Sequence, residues 1–446
     1  MHFQLIISVL SGIACLLLLI LYFRLPAFIS LLIASIVSGL IAGLAGDKII
    51  STIQEGMGST LGFVATIVGL GAMFGAILEK SGGAVAIANH LIKKFGEKNA
   101  PLSLAITGLM IAIPVFFEVA FILLVPILYA IQKKTGKSLL LYAMPLLSGL
   151  AFGHAFIPPT PGPIAVAQII GADLGWVILA GVLIGIPTVL VSGIIFGKFI
   201  AKKIHIQAPI LAEDGQANHL LPTPAIIFSI LFLPIALILF NTIIKTGVIA
   251  VTDKRILDII SLVGHPFGAL ILANIIAWYV LGIRRGFTKN QLFDITVKSL
   301  APAGNIILLI GAGGVFKQVL VNTGAGKMLA ESLTGVGLPL VVFAFIAAAI
   351  IRILQGSATV AMITSAGLVA PLIVGHTFSG MQLAAIVTSI SSGASIMSHV
   401  NDAGFWLVKQ YLGLTEKQTF RSWTMMITWL SLVGFLFSLL IFFCFS

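Results

Sequence analysis

The chain has 446 residues, 59% of them hydrophobic and only 9% charged, a balance that no soluble globular class shows. Its formal net charge of +11 would suit a polyanion, but the positive charges sit in short loops between apolar segments. Membrane topology explains them, so no nucleic-acid partner is expected. Cys15 and Cys444 both lie inside apolar segments, which excludes a disulfide framework or a cysteine metal cluster. No cofactor is expected.

In chain order, spans are predicted near 3–22, 26–46 and 57–79, followed by a broken span over 139–172 and a span over 175–197. The second half has spans near 224–244, 265–282 and 302–321, a broken span over 381–412 and a last span over 423–445. Residues 5–21 lack the basic region and small-residue cleavage site of a signal peptide, so they read as a retained span.

The apolar run 102–131 fits neither one crossing, about 20 residues, nor two, about 40. Lys93, Lys94 and Lys98 precede it; Lys133, Lys134 and Lys137 follow it. The positive-inside rule puts both flanks in the cytoplasm, so a re-entrant hairpin opening inward is predicted, with residues 114–118 at its tip. A second hairpin over 338–375 is predicted to open outward, because Thr334, Gly335, His376 and Ser379 beside it carry no positive charge. This threading leaves most of the 25 Lys and Arg residues in the cytoplasm, Lys80, Lys203, Lys298 and Arg421 among them. Lys48, Lys245, Lys254, Arg255 and Lys327 fall outside, Lys317 and Arg352 stay at membrane depth, and both termini face outward.

The halves also echo each other. Phe74, Leu78, Ser81 and Gly82 recur as Phe316, Leu320, Thr323 and Gly324, and Ser148-Gly149 with His154 recurs as Ser392-Gly393 with His399. An odd number of crossings per half turns the second copy over. The predicted fold is an all-α polytopic membrane protein of two inverted-topology repeats, each with a re-entrant hairpin and a broken helix. It has about ten full spans plus two hairpins. Repeat 1 covers 1–203, a cytoplasmic linker 204–222, and repeat 2 223–446. Inverted repeats with discontinuous helices are secondary-transporter architecture, with the site near the midplane.

Four breaks should meet there. Glu118 at the first tip is either a functional ionisable group or a cap on the returning half-helix, where the dipole favours an anion. The run from His154 to Pro163 carries prolines at 158, 159, 161 and 163, which remove donors and expose carbonyls in an unwound segment. His154 itself is either a proton carrier or a buried, hydrogen-bonded histidine. At the second tip Ser357 is placed to cap the following arm, whose free N–H groups suit a carboxylate. Arg352 pairs either with an anionic substrate or with Asp402 or Glu118. Asp402, in the fourth break with Ser398, His399 and Asn401, is either a working carboxylate or the N-cap of the helix carrying Trp406. Neither a GxSxG nor an HExxH motif occurs, so no hydrolase and no metal site is expected.

At these same breaks PVFFEVAF, HAFIPPTPGP, QGSATVAMIT and SHVNDAGFW, in this order and spacing, resemble the gluconate permease family of bacterial proton symporters. The likeness covers essentially the whole chain. It implies proton-coupled uptake of gluconate or a related small hydroxy acid, D-serine in some members, across the bacterial cytoplasmic membrane. It also implies kinship with transporters in which a mobile domain carrying the hairpins slides against a dimeric scaffold. The Ser-Asn-Thr tips of sodium-coupled relatives are absent, which favours protons. The family pattern PPHPGP is broken here by Thr160, so the precise substrate does not carry over. On this reading Phe117, Thr160, Arg352, Gly356, Ser357, Thr359, Ser398 and Asn401 bind substrate. Glu118, Asp402, His154 and His399 are the candidates for proton coupling, and spans 3–46 and 224–282 form scaffold and a homodimer contact. An organic anion exchanger is the alternative.

Overall fold

The computed structural model describes residues 2–96, 99–209, 221–245, 253–325, 328, 338–374 and 376–445. Most of the predicted linker, together with Lys98, Lys327, Thr334 and Gly335, lies outside the described residues. Among those described, every regular element is helical.

Among the described residues, eight helices are long and apolar enough to cross a membrane: Phe3–Ile20, Gly46–Lys80, Leu140–Ile170, Leu174–Lys203, Pro224–Lys245, Pro266–Arg285, Lys289–Asn322 and Glu416–Cys444. Two of the expected spans differ from that length. The segment 26–46 holds a 15-residue helix, Ala27–Ile41, about 22 Å long at 1.5 Å per residue. The segment 381–412 is divided into Gly380–Ser395 and Ala403–Leu412. Two helices were not anticipated, Gly83–Phe95 and Lys254–Gly264. Each is amphipathic rather than uniformly apolar, which is why a search for spanning runs passes over them.

The run 102–131 folds as two helical arms, Ala100–Ile111 and Phe117–Thr135, joined by a turn. The first arm has 12 residues, about 18 Å, too short to cross a hydrocarbon core of about 30 Å. The second hairpin has arms Leu340–Gln355 and Ala358–Ile373, of 16 residues each. Each broken helix packs on the first arm of one hairpin at a glycine. A Cβ on Gly149 would collide with Ala105 O, and one on Gly393 with Phe345 O. Without side chains at these points the backbones approach closely, the usual solution where lipid supplies no hydrophobic drive between helices.

Hydroxyls join the buried helix faces. Ser148 and Ser192 Oγ lie 2.7 Å apart, Ser431 Oγ donates to Ser392 O at 2.7 Å, and Ser8 Oγ donates to Ser38 O at 2.7 Å. The two helices that follow the broken pair carry π-helical segments, Leu190–Ile195 and Phe420–Thr424. Outward faces are apolar instead: Leu10, Ile186 and Ile195 are all exposed, as expected of a chain solvated by lipid. Residues 204–209 are not a free tether, because Leu139 N donates to Ile206 O and Ser138 Oγ to Ile204 O.

Candidate functional site

The tips of both hairpins and both broken helices converge on one cavity of about 360 Å³. Its walls carry nine of the anticipated residues: Phe117, Glu118, His154, Arg352, Gly356, Ser357, Thr359, Asn401 and Asp402. A larger space of about 810 Å³ lies between Val191–Ile204 on one helix and Arg421–Trp429 on another. Its walls are apolar except for Lys203 and Arg421, so it lacks the convergent polar groups that orient a polar ligand.

Arg352 ends the first arm of the second hairpin and is only 4% exposed. Its Nη1 donates to Gly356 O and its Nη2 to Asp402 Oδ2 at 2.5 Å. Its Nε is buried without a protein partner. Asp402 also accepts from Gly404 N at 3.1 Å and from the Ser398 hydroxyl. Asp402 is thus the N-cap of Ala403–Leu412 and, at the same time, the ion-pair partner of the buried guanidinium. A buried charge pair of this kind holds only while both partners are present and the spare lone pairs are satisfied.

The tip is pinned by backbone geometry. Gly356 has φ +88° and packs against Asn401 so closely that any Cβ would collide with its carbonyl oxygen. Asn401 Nδ2 donates to Ile353 O at 3.2 Å, tying the broken helix to the hairpin. Ser357 caps Ala358–Ile373, its Oγ accepting from Val360 N at 3.4 Å, while Gln355 Oε1 takes Ser357 N at 2.9 Å. The positive end of that helix dipole faces the cavity beside Thr359.

From the other hairpin come Phe117 and Glu118, in the first turn of Phe117–Thr135 rather than in the turn itself. Glu118 is exposed, with no salt bridge among the described residues. His154 is also on the wall, and its Nδ1 is buried with no protein partner.

Three anticipated residues do not face this space. Thr160 is buried, its Oγ1 donating to Ile157 O at 2.7 Å, and lines a separate small cavity. Ser398 is fully buried behind Asp402, where it accepts from Trp423 Nε1 at 2.6 Å. His399 turns to Ile353 O, 3.0 Å from its Nε2. Sequence reasoning missed Trp423, which forms a wall of the cavity with its ring 5.6 Å from that of Phe117. It also missed Gln355, Ser395 and Ile427. Gln355 opens the recognised motif QGSATVAMIT; nothing in the apolar run around Ile427 distinguishes it from lipid-facing neighbours. No cluster of three or more His, Cys, Asp or Glu residues able to hold a metal occurs among the described residues.

A multi-pass helical chain with a polar cavity assembled from hairpin tips and interrupted helices is a membrane transport protein. Its fold matches two solved transporters. The Alcanivorax borkumensis YdaH transporter aligns with TM-score 0.62 at 14% identity over 90% of this chain and 89% of that one. Neisseria gonorrhoeae MtrF, described with a class of antimetabolite efflux pumps, aligns with TM-score 0.63 at 15% identity over 93% of each chain. At these identities the likeness is one of fold. Residues 4–444 match the model of the GntP family permeases, and the chain belongs to that family. It is 41% identical over 434 residues to the low-affinity gluconate transporter of Escherichia coli K12, covering 96% of each. It is likewise 41% identical over 447 residues to a Bacillus subtilis gluconate permease, covering 98% of this chain and 99% of that one. The L-idonate transporter of the E. coli Gnt-II system is 38% identical over 97% of each chain. These relatives are carriers by name, in keeping with a chain that moves its substrate rather than transforms it.

Proposed function

We propose that this protein imports gluconate or a related small hydroxy-carboxylate across the bacterial cytoplasmic membrane, driven by protons. The observation that carries this reading is the Arg352–Asp402 pair on the wall of a hydroxyl-rich cavity. Arg352 is the anion receptor and Asp402 its resident anion. Protonating Asp402 neutralises it and frees Nη2 for the incoming carboxylate. The substrate then lies between the guanidinium and the N-terminal end of Ala358–Ile373, its hydroxyls facing Thr359 and Asn401. Proton and substrate thus load together, because either alone leaves a charge unpaired in a poorly solvated site.

The crossing is an elevator-type movement. The two hairpins and two broken helices move as one body, and 3–46 with 224–282 form the scaffold of a homodimer. The inverted-repeat reading, with repeats over 1–203 and 223–446, about ten crossings and both termini outside, is supported by paired local geometry. Gly149 and Gly393 make equivalent approaches to the two hairpins, and π-segments interrupt both final spans. The L-idonate relative keeps the substrate within sugar acids; Thr160, away from the cavity, does not discriminate among them directly.

The test is uptake of radiolabelled gluconate into proteoliposomes under an imposed inward proton gradient. Concentrative, uncoupler-sensitive uptake is expected. Flux that requires a counter-anion inside and ignores the uncoupler makes the protein an exchanger instead.

A further inference from the structure

Behind the tip of the first hairpin lies a second, small cavity of about 20 Å³. It is walled by Gly71 and Ala72 of Gly46–Lys80, by residues 113–116 of the hairpin turn, and by His154, Pro159 and Thr160. About 10–15 Å³ is enough for one water, provided two or more polar groups receive it. Those groups are present: the His154 imidazole, whose Nδ1 is buried without a protein partner, and Thr160 Oγ1, which still has a lone pair to offer. Pro159 O, facing Gly71, is a third.

The small cavity shares wall residues with two larger ones. His154 belongs to its wall and to that of the 360 Å³ substrate cavity. Ala72, Pro114, Val115 and Phe116 belong to its wall and to that of a third cavity of about 410 Å³. That third space carries Glu79, Lys80, Asp294 and Lys298 and lies on the side the charge pattern assigns to the cytoplasm. The turn at 114–116 is the barrier between them.

We propose that His154 and a single water held in this cavity form a proton exit separate from the substrate's path, an inference that rests on the symport reading. The charged groups facing its entrance are Glu118, Asp402 and Arg352; those at its end are Glu79, Lys80, Asp294 and Lys298. The imidazole takes a proton from the substrate cavity on one nitrogen and releases the proton of its other nitrogen to the water. The water passes one of its own protons past the turn to the carboxylates of the cytoplasmic cavity. The imidazole ends neutral in its other tautomer, and rotation of the ring resets it for the next proton. Thr160 acquires a role here, as a fixed partner of the water rather than of the substrate.

Gly71 supplies the probe. A Cβ there would meet Pro159 O at 3.5 Å, an ordinary contact, so Gly71→Ala fits the fold while its methyl takes the space of the water. Gly69→Ala, whose Cβ would meet only Leu300 at 3.7 Å, is the control. Proteoliposomes containing a pH dye report gluconate-driven proton entry alongside radiolabelled gluconate. Gly71→Ala is expected to lose at least about tenfold in proton-driven accumulation, the scale on which a proton-transfer group contributes. Gluconate counterflow, which needs no net proton release, stays within about twofold of wild type, and His154→Gln repeats the loss of accumulation. Normal coupling in Gly71→Ala, or equal losses in Gly69→Ala, overturns the water path. Wild-type gluconate uptake without proton entry removes the symport reading and this inference with it.

Discussion

The two hairpins carry opposite charges to the same cavity and hold them in opposite ways. Arg352 on the second hairpin is buried, paired with Asp402 and bonded to the carbonyl of Gly356. Glu118 on the first is exposed, on a returning arm entered through a turn, with no salt bridge among the described residues. A cation held by a carboxylate and a backbone carbonyl is fixed in place. An exposed carboxylate outside any salt bridge keeps its contact with the cavity. On the proposed reading this is a division of labour, with anion recognition and its proton lock at Arg352–Asp402 on the second hairpin and proton passage beside the first.

Removing the pinned charge should have the largest effect. Arg352→Ala leaves Asp402 unpaired and is expected to cost about 3–5 kcal/mol of stability as well as substrate binding. Thermal unfolding in detergent and gluconate binding measure the two losses; unchanged values for both would make the pair incidental. The pinned backbone comes next. Gly356→Ala strains a left-handed residue and collides with Asn401 O, with an expected loss of about 1–3 kcal/mol and weaker gluconate affinity. A variant with wild-type unfolding temperature and affinity would show that the tip is not locked to the broken helix.

Changes on the exposed side should be quieter in stability and louder in coupling. Glu118→Gln is expected to unfold normally, to lose concentrative uptake, and to retain part of its counterflow exchange. Accumulation equal to wild type would remove Glu118 from coupling and break the proposed division. The smallest effect belongs to Trp423→Phe, which keeps the ring against Phe117 and removes the hydrogen bond to Ser398. A loss of about 1 kcal/mol is expected, read as a severalfold weaker apparent affinity. A tenfold or larger loss would instead give the indole a direct role with substrate.

The same contrast marks what a sequence can disclose. The breaks were legible because proline clusters and charges within apolar runs each carry a local physical cost. The length of 102–131 alone argued for two short arms, and Ser357 and Asp402 were recognisable as caps. What was not legible is direction. Thr160, Ser398 and His399 lie in the right segments but face away from the substrate cavity, because an unwound backbone has no period from which a face can be read. Trp423 belongs to a span whose other residues look lipid-facing; in the fold it lies in the π-helical segment Phe420–Thr424, against Phe117. The helices Gly83–Phe95 and Lys254–Gly264 escaped because their mixed composition resembles that of loops between spans.

The central claim is that a proton on Asp402 releases Arg352 to the substrate, and the pH dependence of equilibrium gluconate binding tests it most directly. In the purified wild-type protein, affinity should fall as pH rises, by up to about tenfold per unit where one proton accompanies each substrate. In Asp402→Asn, whose neutral side chain cannot hold the guanidinium as a charge, affinity should be high and flat across the same range. A wild-type affinity independent of pH, or an Asp402→Asn profile that still falls with pH as wild type does, would contradict the account.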